Sequence, residues 1–177
     1  MRKTLETDRL ILRPFEIEDA EAMFYSWAND DEVTKYVTWN THKSIEDSKF
    51  IVNMWIEEYE KPERLNFAIT LKEDNSLIGG IDVVGYLDNV PVIGYVLSRK
   101  HWNKGYATEA CKCLLKYLFD LGYEKVKIDA VVENIGSNKV IQKCGGKFIG
   151  VVEDEFRMKN CKFKINQYEV YKDSFIY

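Results

Sequence analysis

Apolar residues recur along this chain with two periods, and each change of period marks a change of element. Arg9 to Arg13 is a short β-prone run ended by Pro14. From Ile17 to Trp27 apolar residues at 20, 23, 24 and 27 fit a helix. Asn29-Asp30-Asp31 then offers caps for a second short helix through Val37. Ser44 and Asp47 stand at capping spacing, which predicts an amphipathic helix from Ile45 to Tyr59. Its apolar side is expected to hold Phe50, Ile51, Met54, Trp55 and Tyr59.

The middle of the chain changes to strand patterning. Leu65 to Leu71, Leu77 to Tyr86 and Val90 to Leu97 predict three consecutive strands in an antiparallel meander. Turn residues join them at Glu73-Asp74-Asn75 and Leu87-Asp88-Asn89. Gly79-Gly80, Gly85 and Gly94 interrupt these strands, which marks bulges or close approach of another backbone or a ligand. After Gly105 the helical period returns, with Ala107, Ala110, Cys111, Leu114, Leu115, Leu118 and Phe119 as one stripe ending at Gly122. Val126 to Val132 predicts a strand and Ser137 to Cys144 a helix closed by Gly145-Gly146. Lys147 to Phe156 and Phe163 to Tyr171 predict two last strands. This order implies a mixed α/β (α+β) domain with one central sheet.

Composition adds bounds. The 177 residues favour a single domain spanning 1–177, and 46% hydrophobic with 31% charged residues is ordinary for a globular protein. The prolines at 14, 62 and 91 are expected near element ends. A net charge of -4 argues against broad nucleic-acid binding. The N-terminus lacks the apolar run of a secretory signal, and Val83 to Leu97 is too short and polar to span a bilayer. The expected setting is therefore cytoplasmic, with no membrane partner. Cys111, Cys113, Cys144 and Cys161 form no C-x-x-C pair, and His42 and His101 do not complete a metal spacing, so no metal is expected.

The junction that carries chemistry is the turn Trp102-Asn103-Lys104-Gly105-Tyr106-Ala107-Thr108, between a strand and a long helix. A helix N-terminus leaves its first amides without intrahelical partners and carries partial positive charge. A glycine there lets amides converge on an anion. The loop lacks both G-K-[ST] and G-x-G-x-x-G, so it is neither a Walker loop nor a dinucleotide fingerprint.

Asn103-Lys104-Gly105-Tyr106-Ala107-Thr108-Glu109-Ala110 resembles the [QR]-x-x-G-x-[GA] acetyl-CoA motif of the GNAT acetyltransferases. Three further segments resemble the Rim-type branch, which acetylates ribosomal-protein N-termini. They are Thr7-Asp8-Arg9-Leu10-Ile11-Leu12-Arg13, Ile93-Gly94-Tyr95-Val96-Leu97, and the helix Asn134 to Gly145 with its N-x-x-S-x-x-[VA]-[IL]-x-K-x-G pattern. The resemblance spans essentially the whole chain. It implies a mostly antiparallel sheet, flanked by helices, whose strands 90–97 and 126–132 splay to admit the coenzyme.

By that resemblance the coenzyme's amides pair with backbone at Tyr95, Val96 and Leu97. Its pyrophosphate rests on Trp102, Asn103, Lys104, Gly105, Tyr106, Ala107 and Thr108, with Asn134, Ser137 and Lys139 also on the coenzyme. Ser137, Asn134 and the Leu97 amide are the candidate catalytic groups. Trp27, Tyr36, Trp39 and Asp82 are candidates for the acceptor pocket, and Asp82, Asp129 and Glu133 for the base. The chain departs from the family pattern at Trp102, Asn103, Val92, Ile141 and Gly146. Ile141 stands where many relatives carry a tyrosine that protonates the departing thiolate.

The expected partner is an amine acceptor, either a protein N-terminus or a small molecule. An α-amine near pKa 8 takes only about 1.4 kcal/mol to deprotonate at pH 7, a lysine nearly 5 kcal/mol. A non-catalytic acyl-CoA-binding or regulatory module remains the alternative. The chain is expected to be a monomer or a homodimer.

Overall fold

The computed structural model describes residues 3–61 and 64–177, so Pro62 lies outside the described residues. Among them, the strands are β1 (Leu5–Glu6), β2 (Leu10–Arg13), β3 (Asn66–Leu71), β4 (Leu77–Leu87), β5 (Val90–Leu97), β6 (Lys125–Val131), β7 (Lys147–Phe156) and β8 (Cys161–Tyr171). The α-helices are α1 (Asp19–Met23), α2 (Asp31–Thr34), α3 (Ile45–Glu58), α4 (Tyr106–Asp120) and α5 (Ile135–Lys143). α1 continues as a π-helical turn over Phe24–Ala28.

The strands form one sheet in the order β1-β2-β3-β4-β5-β6-β8-β7. Every neighbouring pair is antiparallel except β5 and β6, which run parallel and share only the register pairs Val92↔Lys127 and Ile93↔Ile128. Beyond Ile93 the two strands part, as the resemblance to the GNAT acetyltransferases implies. α4 and α5 pack on one face of the sheet, where Ile81, Val83 and Ile93 meet Leu114, Leu118 and Ile141. α1, the π turn and α3 cover the other, where Phe15, Met23, Trp27 and Val52 bury together with Ala68.

Local chemistry explains most boundaries. Asp30 caps α2 by accepting from the Glu32 amide at 3.0 Å. Asp47 accepts the amides of Lys43 and Ser44 at 2.8 and 2.9 Å and fixes the start of α3. These bonds hold its carboxyl below the ordinary value. Asn75, Asp88 and Asn89 take positive φ in the predicted turns, and Gly85 sits at a break in the β4–β5 register. Gly79 marks a close approach: a Cβ there would lie 2.2 Å from the Val96 carbonyl oxygen.

Two expectations need correction. The predicted apolar side of α3 is only partly inward. Phe50 is 70% exposed and Met54 is partly open at a cavity wall, while Ser48 and Val52 are buried and Ile51 and Trp55 pack inward as expected. The helix is rotated because its sequence offers apolar residues on more than one side, and Val52 fits the packing against Phe15 and Trp27. α5 begins at Ile135, two residues before Ser137, because Asn134 supplies the cap by accepting from the Ser137 amide at 3.1 Å.

Candidate active site

The strand-to-helix turn is built to leave amides free. Asn103 and Gly105 both take left-handed φ, of 60° and 84°. The first bond of α4 runs from the Glu109 amide to the Gly105 carbonyl. None of the six amides from Asn103 to Thr108 donates to a described protein group. Consecutive unpaired amides at a helix start form an anion-binding concavity. This fits a pyrophosphate.

A residue cluster from the other end of the chain fixes that turn. Glu109, in the first turn of α4, accepts from the Thr7 hydroxyl at 2.5 Å, the Arg9 amide at 2.9 Å and Arg9 Nε at 2.7 Å. Arg9 Nη1 also donates to the Lys104 carbonyl at 3.0 Å, and the guanidinium stacks 4.4 Å from the Tyr106 ring centre. The Lys104 carbonyl is thus tied outward, toward β2. Burial alone would raise the Glu109 carboxyl, but the bonds from Thr7 and Arg9 outweigh it and hold the group below the ordinary value.

At the split, Ser98 donates its amide to the Ile78 carbonyl of β4 at 2.8 Å. Alternation along an antiparallel ladder then turns the Tyr95 and Leu97 backbone groups away from β4, toward the open side. The Leu97 carbonyl is taken by Trp102 Nε1 at 2.7 Å, so Trp102 bolts the turn to the strand end. Across the gap, the Tyr95 hydroxyl meets Ser137 Oγ at 2.8 Å. Burial pushes the Tyr95 hydroxyl well above its ordinary value, so it holds its proton at neutral pH. α5 is held in place by buried Asn138, which donates to the Val131 and Asn134 carbonyls and accepts from Asn166 and Tyr168.

Ile141 is fully buried under α4. A Cβ at position 146 would lie 2.5 Å from Ile141 Cγ2, so the departures at 141 and 146 are coupled by packing. A hydroxyl reaches this region from β5 instead, on Tyr95.

A cavity of about 590 Å³ runs from Tyr95, Asn134 and Ser137 through the split to the α1–α3 side. Trp27, Tyr36, Trp39 and Asp82 all line it, as do Asp129 and Asp154, but no Lys or Arg does. Among the described residues the Asp82 side chain finds no hydrogen-bond partner, and burial raises its carboxyl to about 6 while Arg64 draws it back. The Trp27 indole N–H is likewise buried without an acceptor among the described residues. His42, against Ser48 at 2.7 Å, is lowered by burial and stays neutral at pH 7.

The sequence-predicted residues therefore fall in three groups. Trp102 to Thr108 form the amide cradle, Tyr95, Val96, Asn134 and Ser137 surround the split, and Trp27, Tyr36, Trp39 and Asp82 wall the acceptor side. Lys139 is exposed on α5, and Glu133 lies outside the cavity lining. Sequence reasoning misses Arg9 and Glu109 as holders of the turn. Both stand inside quoted motifs, yet their contact joins positions 100 residues apart. Among the described residues there is no cluster of metal-ligating side chains and no helix long and apolar enough to cross a membrane.

Residues 9–147 match the acetyltransferase (GNAT) domain family. The chain is 30% identical over 171 residues to the uncharacterized N-acetyltransferase YoaA of Bacillus subtilis (strain 168), covering 95% of this chain and 96% of that one. It is similar to the crystal structure of a GNAT-family acetyltransferase from Bacillus anthracis, with a TM-score of 0.84, 28% identity, and 97% and 100% of the two chains covered. RimL, an alpha-N-protein acetyltransferase solved in complex with coenzyme A, shares the fold at a TM-score of 0.84 and 16% identity, over 97% of this chain and 99% of that one.

Proposed function

Because this chain belongs to the GNAT acetyltransferase family, we propose that it moves an acetyl group from acetyl-CoA to a primary amine by direct attack in a ternary complex. The acceptor is a protein N-terminal α-amine, as in the Rim-type branch, or a small-molecule amine. One observation carries this reading: a single cavity joins the Tyr95–Ser137 pair at the split to the unpartnered Asp82 carboxyl. The working unit is one domain over residues 1–177, cytoplasmic, as a monomer or homodimer.

Acetyl-CoA, when bound, supplies the acyl carbon that the amine attacks and the sulfur that leaves. The amides from Asn103 to Thr108 hold its pyrophosphate, with Trp102 bracing the turn against Leu97. The outward-turned backbone of Tyr95 takes the amides of its arm, and the Leu97 N–H, whose own carbonyl is held by Trp102, polarises the thioester oxygen. Asp82 takes a proton from the acceptor's ammonium, directly or through one water, which frees the lone pair for attack. A C–N bond forms as the C–S bond breaks. Ser137 Oγ gives its proton to the departing sulfur and regains one from Tyr95; of the two protons the nitrogen loses, one refills Tyr95 through solvent and the other leaves to bulk, which returns Asp82 to its ionised form. Asn134 acts on Ser137 through the cap bond. Holding both reactants in one cavity supplies much of the rate.

The test is thiol release from acetyl-CoA over a panel of amines and peptides, alongside thermal stabilisation by acetyl-CoA. Binding at 100 times Kd adds about 2.7 kcal/mol. Stabilisation without turnover of any acceptor would favour the non-catalytic module, and no stabilisation would sink both readings.

A further inference from the structure

The acceptor side of the cavity carries a charge pattern that narrows its occupant. Asp82 on β4 is the register partner of Gly94 on β5. Ile93 pairs with Ile128, so Gly94 and the following residue of β6, Asp129, stand at the same level of the sheet. Ile93 and Ile128 both bury on the α4 side. Strand alternation therefore turns Gly94 and Asp129, like Asp82, to the opposite face. Two carboxylates thus flank a residue without a side chain, at least two strand spacings or roughly 10 Å apart, since β5 and β6 part beyond Ile93. A Cβ on Gly94 would stand 3.9 Å from Asp82 Oδ1 and 2.9 Å from Val84 Cγ1, so glycine keeps the space between them clear.

The two carboxylates differ in setting. Asp82 lies deep, without a hydrogen-bond partner among the described residues, and faces the cavity. Asp129 and Asp154 are exposed at the rim, and partial desolvation, with a smaller contribution from nearby Asp154, raises the Asp129 carboxyl. Gln167 and Lys127 also face Asp129. Arg64, the cation that reaches Asp82, is engaged with Glu58 at 3.0 Å, Lys127 lies 4.0 Å from Glu169, and His42, which lines the same cavity, is neutral at pH 7. Tyr36, Trp39 and Trp55 supply aromatic surface around the same space, which also favours a cation.

We propose that the acceptor is a small alkylamine carrying a second positive charge, with its reacting nitrogen over Gly94 beside Asp82 and its second cation held by Asp129 and Asp154. The inference rests on the acetyltransferase reading and names its substrate class. The reacting nitrogen is the one that loses its proton at Asp82. The second nitrogen keeps its charge and stays at the rim.

The test compares kcat/KM at saturating acetyl-CoA for 1,4-diaminobutane, for 1-aminobutane, and for a short peptide with a free N-terminal serine. The diamine is expected to exceed the monoamine at least tenfold. The double variant Asp129→Asn with Asp154→Asn is expected to bring that ratio below threefold, with melting temperature and acetyl-CoA stabilisation measured on the same sample to show that it is folded. Equal rates for diamine and monoamine, or a tenfold preference for the peptide over the diamine, would overturn the proposal and leave the transferase reading standing. Absence of acetyl-CoA stabilisation in the wild-type protein would overturn both.

Discussion

The Tyr95 hydroxyl lies 2.8 Å from Ser137 Oγ, and these two atoms close the gap between β5 and α5 on the α4 side of the sheet. A serine hydroxyl alone is a poor proton source. Backed by a buried tyrosine that stays protonated, it can give a proton and be refilled. Tyr95→Phe removes only the hydroxyl. It is expected to lower kcat by about tenfold to a hundredfold, within the usual range for a proton-transfer group, while acetyl-CoA affinity changes less than about threefold. Ser137→Ala should lower kcat at least as much, and the double variant no further than the worse single one, because residues acting as a unit are non-additive. Additive losses would break the pair into two unrelated contributions.

Arg9 and Glu109 form a pair with a short distance and a half-exposed guanidinium, 2.6 Å between Nη2 and Oε2. Such a pair contributes little to global stability, about 0–1 kcal/mol. Its importance lies in holding the Lys104 carbonyl outward. Arg9→Ala is expected to weaken acetyl-CoA binding about tenfold by calorimetry, with a melting temperature within a few degrees of wild type. A large stability loss with unchanged affinity would reverse that assignment.

Gly105 holds φ at 84°, and a Cβ there would stand 3.3 Å from Arg9 Nη2. Gly105→Ala is expected to cost about 1–2 kcal/mol in stability from the left-handed backbone. Gly105→Glu adds charge conflict with the pyrophosphate and is expected to abolish coenzyme binding. A folded Glu variant that binds acetyl-CoA normally, checked by thermal shift, would remove the turn from the site.

The pH dependence follows from Asp82, raised by burial to about 6. As base it must be ionised, so kcat/KM is expected to fall as pH drops through about 6. Arg64 is the charged group that acts on it, and His42, Asp129 and Asp154 line the same cavity. Stability should move the other way. Between the unfolded value near 3.9 and about 6 the folded state binds the extra proton, so this group adds stability as pH falls through that window. At pH 7 the buried charge opposes folding, and Asp82→Asn should raise the melting temperature while slowing turnover. Urea midpoints at pH 5 and 7 for both proteins check the sign.

Much of the fold is legible from periodicity because strands and helices here keep their own repeats. The stripe from Ala107 to Phe119 becomes the buried face of α4, and Asp30, Asp47 and Asn134 cap helices through bonds to near neighbours. What escapes the sequence depends on partners distant along the chain. On α3 the pattern places Ile51, Trp55 and Tyr59 inward, but the burial of Val52 and the exposure of Phe50 follow from packing against Phe15 and Trp27. The link between Ile141 and Gly146 shows only when the helix end is built. The amide cradle is readable from one glycine and its position, whereas the level row of Asp82, Gly94 and Asp129 needs the β5–β6 register.

That register covers two residue pairs, and beyond it Tyr95 and Leu97 present backbone groups with no strand beside them. The sheet is left one rib short along this seam. In the proposed complex a peptide-like arm laid there completes the ladder, so the small molecule serves as secondary structure as well as reagent. The two flanks, β1 to β5 and β6 to β8, are then stitched together by the ligand itself. Slowed amide exchange should therefore spread along both edges of the seam when it binds, well beyond the atoms that touch it.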